Sequence, residues 1–596
     1  MAVGFSRFAA TFLIAALAVS ATSAPVNAQV PVFPGAEGYG SDTVAGSGRH
    51  LSTPRTTVYK VVNLNNSGSG SLRECVDAVV PRVCVFEVSG QIKLTQDLSI
   101  RSPYITIAGQ TAPSPGILLT GASLRIESHN VLVQHMEVRP GDGAGTKAES
   151  RDGLTVGTSS SSRRAYKVFL DHLSISWGID ENASTYHSST HEVTFSKSIV
   201  SESLHDSLHP EGPHGSGMLI GDFTTRISVH NSLFAHNNDR NIRLKAGATI
   251  DFINNVIYNW GGTSGSNLMN MSDDTNVGAP ILLNMVGNVY KRGPNSPFHA
   301  PLYGRNLESG SRAYVSNNIG PTRPTNSGSE WLISSMPQSP YQASSPPLNM
   351  TTAARSPSDT FQFVLANAGS RPADRNDVDA RVISEVANGT GTLKDCVSGC
   401  SRHAGGWPAR AQNYRALSVP DNFNSDPDGN GYTILEEWLH SMAAEVEGRR
   451  AAPGGPTPAQ PPDATKPPSS PKPPAATPGS PNTPTAQPNK PSDGKKKKQK
   501  GKGKKSKKKN KQKQHRAGGG KGCPASAPSG SCAALKRLEL VKSRVVCRDD
   551  KSRSCKKARR VLASLNIRGK ALRRLIRARE NKLERLRLKR QRKSKT

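Results

Sequence analysis

Residues 232–261 read SLFAHNNDRNIRLKAGATIDFINNVIYNWG. In them, two short apolar, Asn-bearing segments flank an insert of hairpin length whose cations, Arg240, Arg243 and Lys245, stand two or three residues apart. Leaving one strand end together, Arg240 and Lys245 would face an anion; on an isolated hairpin the same residues would be only a basic surface loop. A second chemical signature lies at 426–437, DPDGNGYTILEE, where Asp426, Asp428, Asn430, Gly431 and Glu437 take positions 1, 3, 5, 6 and 12 of an EF-hand loop. That spacing lets alternate oxygens wrap one Ca²⁺. ILEEWLHSMAAEV reads as a helix leaving this loop, but no clear helix enters it from NYRALSVPDNF. A single structural Ca²⁺ loop is expected, the plain alternative being an acidic turn.

These groups need a scaffold, and the chain repeats one. NVLVQHMEV (from Asn130), KVFLDHLSI (from Lys167), EVTFSKSIV (from Glu192), RISVHNSLF (from Arg226), TIDFINNVI (from Thr249) and ILLNMVGNV (from Ile281) share a single scheme. Apolar residues alternate, a polar His, Asn or Ser follows, and an apolar residue closes. The starts fall 37, 25, 34, 23 and 32 residues apart, which reads as one turn of about 22 to 25 residues that sometimes carries a loop. Period-2 alternation without long amphipathic runs excludes a helical bundle. A sandwich would space its strands more tightly, at roughly 8 to 12 residues. The long repeat therefore predicts an all-β solenoid, a right-handed parallel β-helix in which each coil buries its apolar face on the next and Asn or Ser stack at the corners. Residues 30–40 and 88–117 read as further short β-rich runs. Loops 140–166, 177–191 and 202–225 would emerge on one side and form a cleft beside Arg240.

A net charge of +33 suggests a nucleic-acid binder until the charge is located. Residues 493–596 hold 40 Lys+Arg against 6 Asp+Glu; subtracting these from totals of 78 and 45 leaves 38 against 39 for everything before them. The basic character belongs to a tail. At the other end, residues 1–28 open with Arg7, continue through FAATFLIAALAVSA and close in VNA, the pattern of a secretory signal peptide. The apolar run is too short to span a bilayer, and no later stretch qualifies. Five parts are expected: signal peptide 1–28, β-helix 29–345, C-terminal extension 346–450, disordered Pro-rich then Lys-rich linker 451–516, and a small basic α-helical module 517–596. Of the eight cysteines, Cys75 falls near Cys84, Cys396 near Cys400, and Cys523, Cys532, Cys547 and Cys555 near the end. In a secreted chain such local sets read as disulfides. Asn65, Asn182, Asn270, Asn349 and Asn388 open glycosylation sequons.

RNIRLK resembles the R-x-P-x-x-R stretch of pectate lyases. FPGAEGYG, SGQIKL, IAGQT, LDHLSISWGIDEN, the HP-x-G-x-HG segment at 209–215 and VDARVISEVANGTG at 378–391 extend the resemblance over roughly residues 32–440. It implies a secreted, Ca²⁺-dependent lyase on a parallel β-helix, cleaving polygalacturonate by β-elimination. Within it Arg240 matches the catalytic base, Lys245 the substrate clamp with Arg243 beside it, Asp152 the start of the metal site, and Asp180 with Glu181 the second acidic cluster. Three positions depart from the family: Ile242 stands where it has Pro, Lys245 where it has Arg, and Ser150 where it often has a second Asp.

The substrate carries a carboxylate beside the carbon whose proton must leave. A lyase therefore needs cations on the acid group and a base opposite it; Ca²⁺ is a hard cation suited to the first task. A guanidinium is normally never deprotonated, so Arg240 as base requires repulsion from Ca²⁺ and neighbouring cations to lower its pKa, and a high pH optimum follows. His172 reads as a core or ladder histidine, while His209, His214 and His236 fall in loops on the cleft side. A monomer is expected, with pectin or another polyanion as partner of the basic tail. Two alternatives stand: a pectin lyase or galacturonan hydrolase on the same fold, and a non-catalytic wall- or polyanion-binding β-helix.

Overall fold

The structure, a computed structural model, describes residues 30–160, 162–262, 267–274 and 276–449. The segment 1–28, the linker, the module 517–596 and its four cysteines lie outside the described residues. All six repeated segments become strands of one ten-stranded parallel sheet, from Thr57–Val61 to Arg312–Ser316. Their closing apolar residues form strands of a second, eight-stranded sheet, from Gly90–Lys93 to Val289–Lys291. Eight complete coils add one strand to each sheet, with Thr57–Val61 and Arg312–Ser316 extending the first sheet at its two ends, so strand order follows sequence order and every named pairing is parallel. This is a parallel β-helix.

A third eight-stranded sheet, Leu98–Ile100 to Leu302–Arg305, was hidden in the sequence. Its strands Leu154–Val156, Glu181–Thr185 and Ser216–Ile220 lie within the segments expected to be cleft loops. They are three to five residues long, and one reads ENAST. So few residues, with polar ones among them, give no alternation to detect. Residues 30–40, expected to be β-rich, form turns instead and pack over the first sheet, where Gly40 N–H donates to Thr194 Oγ1 at 2.9 Å.

Inward-facing Ile, Leu, Val and Phe from all three sheets make one continuous interior that runs the length of the solenoid, with Phe86, Phe195, Phe234, Phe252 and Trp260 among its fully buried members. The first two sheets are also covered outside, which explains why apolar residues such as Leu132 and Phe169 also stand on the outward side of the alternation. Helices Pro357–Asn367 and Asp377–Asn388 lay Val364, Val382 and Val386 on Ile199, Leu233 and Val256 of the second sheet. Helix Ile434–Val446 lays Leu435 and Leu439 on Val83, Val85 and Ala108 of the first. The segment bearing these helices returns along the solenoid, so that residues 411–417 bond to residues 87–89 of an early coil.

Between the first and second sheets the chain turns on one residue of positive φ, among them His135, His172, Lys197, Asn231 and Asn254. The next position carries the expected ladder: Asn255 Nδ2 donates to Asn288 Oδ1 at 3.1 Å and Asn288 Nδ2 to Asn318 Oδ1 at 2.9 Å. Cys75 bonds Cys84 and Cys396 bonds Cys400. Two sequons fail as glycosylation sites, because Asn182 is fully buried, donating to Ser201 O and Asn237 Oδ1, and Asn270 is buried as well. Asn65, Asn349 and Asn388 are exposed.

Candidate active site

The third sheet alone is left uncovered by the helices of the C-terminal segment; its strands carry Glu181 and Arg243, while Asp152, Asp180, Arg240 and Lys245 lie just outside strand ends. The register Leu154↔Ala183 sets Asp152 and Glu181 beside each other on adjacent coils, and Glu181 pairs in turn with Ser216 of the next. Strand spacing of about 4.8 Å, rather than loop length, therefore fixes their separation. Asp152, Asp180 and Glu181 offer one carboxylate oxygen each within 4.8 Å of one another. Arg240 follows two coils after Glu181, at φ +54°, a conformation uncommon for a non-glycine residue.

Asp152 is buried, accepting from Thr155 Oγ1 at 2.8 Å and Ser184 Oγ at 3.3 Å. Burial first, and the neighbouring Asp180 second, push its pKa up to about 6. Glu181 is 1% exposed; its Oε1 pairs with Arg240 Nη1, and its Oε2 is buried with no hydrogen-bond partner among the described residues. A buried acceptor without a donor, next to a carboxylate held above its ordinary range, is the environment that a hard cation relieves. The donor set fits Ca²⁺.

All three cations line the cleft, but Arg240 and Lys245 do not leave one strand end together as expected: Arg240 precedes the two-residue strand Arg243–Leu244 and Lys245 follows it, and all three are already paired. Arg243 pairs with Asp274, which also holds Arg305 at 3.1 Å, and Lys245 pairs with Asp222. Arg240 Nη1 lies 3.8 Å from Asp180 Oδ1, and its Nη2 is 3.4 Å from His214 Nε2. Its pKa is lowered, as expected, but for another leading reason. Burial is the largest cause, Asp180 opposes it, and the like charge of Arg243 contributes less.

Most of these groups wall a cleft of about 400 Å³, lined by Glu149, Asp180, Glu181, Arg240, Arg243 and Lys245 among others; Asp152 is buried and does not line it. Of the three histidines on this side, His209 and His214 line the cleft and stack with centroids 4.0 Å apart. His214 Nε2 lies 2.9 Å from Asp180 Oδ1, and that hydrogen bond raises the imidazole pKa. His236 does not reach the cleft: it is fully buried against Tyr258 and Glu385. His172 is a buried corner residue, as expected. The sequence reading missed Glu149, an acid beside Ser150 on the cleft wall, and the Asp180–His214 contact, whose 34-residue separation left no local signal.

Curated relatives reach across this whole architecture. A probable pectate lyase C of Neosartorya fischeri is 30% identical over 446 residues, covering 72% of this chain and 97% of that protein. The chain belongs to the pectate lyase family. A probable pectate lyase C of Aspergillus fumigatus is also 30% identical, with 97% of its length covered. No family model matches the sequence. Among solved structures, jun a 1, the major allergen from cedar pollen, aligns at TM-score 0.40 and 16% identity over 55% of this chain and 91% of its own. A Bacillus subtilis pectate lyase mutant aligns at TM-score 0.38 and 12% identity over 56% and 96%. A pectate lyase, then, presents this cleft on its third sheet.

The acidic loop 426–437 lies elsewhere, below the helix Ile434–Val446 that the sequence placed at the same residues. Gly431 at φ +92° supplies the turn, and its N–H donates to Asp426 Oδ2 at 2.9 Å. Asn430 Nδ2 bridges Asp428 Oδ2 at 2.9 Å and Glu437 Oε1 at 2.8 Å, and Asp426 Oδ1 is buried without a hydrogen-bond partner among the described residues. Asp428, Asn430 and Glu437 thus meet across the loop, while Asp426 is held by the Gly431 N–H.

Proposed function

We propose that this pectate lyase is a secreted enzyme that cleaves polygalacturonate by Ca²⁺-dependent β-elimination, and so degrades pectin in plant cell walls. The observation that carries the reading is the cluster of Asp152, Asp180 and Glu181 carboxylates against the half-buried guanidinium of Arg240, all but Asp152 lining one cleft. Ca²⁺ held by Asp152, Asp180 and Glu181 would neutralise the substrate carboxylate and acidify the adjacent C5–H. Arg243, on the strand Arg243–Leu244, and Lys245, just after it, would exchange Asp274 and Asp222 for substrate carboxylates and fix the sugar's orientation. Lys245 offers a point charge rather than a fork, so it clamps less tightly than an arginine would.

Arg240 in its neutral form would take the C5 proton. The C5–H electron pair forms the C4–C5 double bond, the C4–O4 bond breaks with its pair on oxygen, and O4 is reprotonated on release. To act so, Arg240 has to leave Glu181, whose negative charge keeps the guanidinium protonated while the two are paired. Burial works in the opposite direction and favours the neutral base. The loop 426–437 would hold a second, structural Ca²⁺, using Asp426, Asp428, Asn430 and Glu437.

Absorbance of the unsaturated uronate product, followed on polygalacturonate with and without a chelator, tests this reading. Signal that vanishes on chelation and returns with Ca²⁺ supports it. Chain shortening without the unsaturated band indicates a hydrolase instead, and neither signal indicates a binding protein.

A further inference from the structure

Far from the cleft, two corner histidines on adjacent coils stack, His135 on His172, with ring centroids 5.0 Å apart and planes 14° apart. Both are buried at 1% exposure. His135 Nδ1 lies 2.8 Å from Ser370 O, and a carbonyl can only accept, so Nδ1 carries the proton. His172 Nδ1 lies 2.8 Å from Asp171 Oδ2, which also accepts from Gln134 Nε2 at 3.2 Å, so the same tautomer holds there. Each ring therefore presents a bare Nε2 lone pair, and both lone pairs point at one carboxylate. Glu447 Oε1 is 3.6 Å from His135 Nε2, and Glu447 Oε2 is 3.7 Å from His172 Nε2.

Lone pairs facing an anion repel it, and His135 Nε2 is buried with no hydrogen-bond partner among the described residues. Glu447 is also badly placed as an acid: it caps the C-terminal end of helix Ile434–Val446, where the macrodipole is negative. Arg449 Nε answers Glu447 Oε2 at 2.8 Å from the solvent side. The separations are those of ligands rather than of contacts. Around a tetrahedral ion with bonds of about 2.0 to 2.2 Å, neighbouring donors stand roughly 3.3 to 3.6 Å apart. A second shell that orients imidazoles through Nδ1–H, onto a carboxylate for one and a backbone carbonyl for the other, is the usual setting of a histidine metal site.

We propose that His135, His172 and Glu447 bind a divalent transition ion of borderline softness, Zn²⁺ or a similar cation, as a structural site that pins the end of the C-terminal segment to two neighbouring coils. Two imidazoles and one carboxylate suit this class rather than Ca²⁺, which takes oxygen donors. Asp171 orients His172 rather than ligating, its oxygens being occupied by His172, Gln134 and Ser196. The competing account is a proton on one Nε2 in place of a metal, and metal titration separates the two.

The test uses full-length protein stripped with a chelator and titrated with Co²⁺, which reports four-coordinate geometry through its visible d–d absorption. The expected result is an intense band that saturates with one equivalent, bleaches when Zn²⁺ displaces Co²⁺, and persists in His214→Gln, which removes the cleft histidine closest to Asp180. Glu447→Gln should weaken Co²⁺ binding at least tenfold, and Zn²⁺ should raise the unfolding temperature of the parent but not of this variant. The parent titration stands alone should Glu447→Gln fail to fold: absence of a tetrahedral band overturns the proposal. A band unchanged in Glu447→Gln, or one of thiolate character, assigns the ion to other residues and overturns it equally.

Discussion

Asp152→Asn separates the metal reading from ordinary burial of an acid. In metal-free protein the Asp152 carboxyl titrates near 6 rather than 3.8, because it is buried beside Asp180. The unfolded chain releases this proton near its ordinary value. Between about pH 4 and 6 the native state thus holds one proton more than the unfolded state, and stability falls as pH rises. Above about pH 6 the whole penalty is present, on the order of 3 kcal/mol at about 1.4 kcal/mol per pKa unit. An asparagine keeps the size, and the Thr155 and Ser184 hydroxyls can turn to accept from its amide. In excess chelator at pH 8, Asp152→Asn should therefore be more stable than the parent by up to about 3 kcal/mol, with no advantage at pH 4. With Ca²⁺ the order should reverse, since the variant loses a ligand and the parent gains binding energy. Denaturant unfolding at pH 4, 6 and 8, with Ca²⁺ or chelator, supplies the comparison. A variant less stable than the parent in chelator at pH 8, or one that Ca²⁺ stabilises as much as the parent, would refute the reasoning.

Arg240→Lys should reduce kcat on polygalacturonate by at least about 100-fold, the lower range for loss of a positioned base, with the unfolding midpoint unchanged; near-native turnover removes Arg240 from that role. Asp426→Ala should abolish the part of the Ca²⁺ stabilisation that arises at loop 426–437, of order 2 to 3 kcal/mol at saturating Ca²⁺, and leave kcat within about twofold. Thermal unfolding and rate measured on the same samples decide this, and a dead but stable variant would reverse the assignment of the two calcium sites. Deleting residues 451–596 removes the basic tail, which carries +34 over 493–596 (40 Lys+Arg less 6 Asp+Glu). It should weaken pull-down on insoluble pectate at low salt, by a margin that closes as salt rises, while rates on short soluble oligogalacturonates stay the same. Equal retention of both forms at low salt would assign the tail to another partner or to none.

The sequence was most legible where a pattern repeats or where spacing alone carries chemistry. The repeated segments from Asn130 to Ile281 declared a parallel β-solenoid, because each carries the same apolar alternation followed by a polar corner. The helix Ile434–Val446 was legible to the residue: Thr433 and Glu436 form a capping box that marks its start. The third sheet was not, since strands such as Glu181–Thr185 turn polar side chains to the cleft and leave no alternation. Nor could sequence foresee that Arg243 and Lys245 would rest on Asp274 and Asp222, or that Asp180 would meet His214. Those contacts depend on which coil stacks beside which, and only the register supplies that. Burial of the sequons at Asn182 and Asn270 was hidden for the same reason: a sequon is local, whereas burial is not.

A stack of coils is, energetically, a line of beads in which each bead senses only its neighbours, so a melted end can advance one bead at a time. The returning C-terminal segment changes that arithmetic. Asn413 N–H donates to Ser89 Oγ across 324 residues, and Leu417 N–H to Glu87 Oε1 across 330, while the same segment holds Lys291 of a late coil through Val386 O. Early and late beads are thereby fastened to one cord. Fraying at either end has to loosen the cord, which loosens the other end too, so a line that could have unzipped in steps is bound into something closer to a ring that opens all at once. The same closure slows assembly, because the cord finds its seat only after both ends have formed.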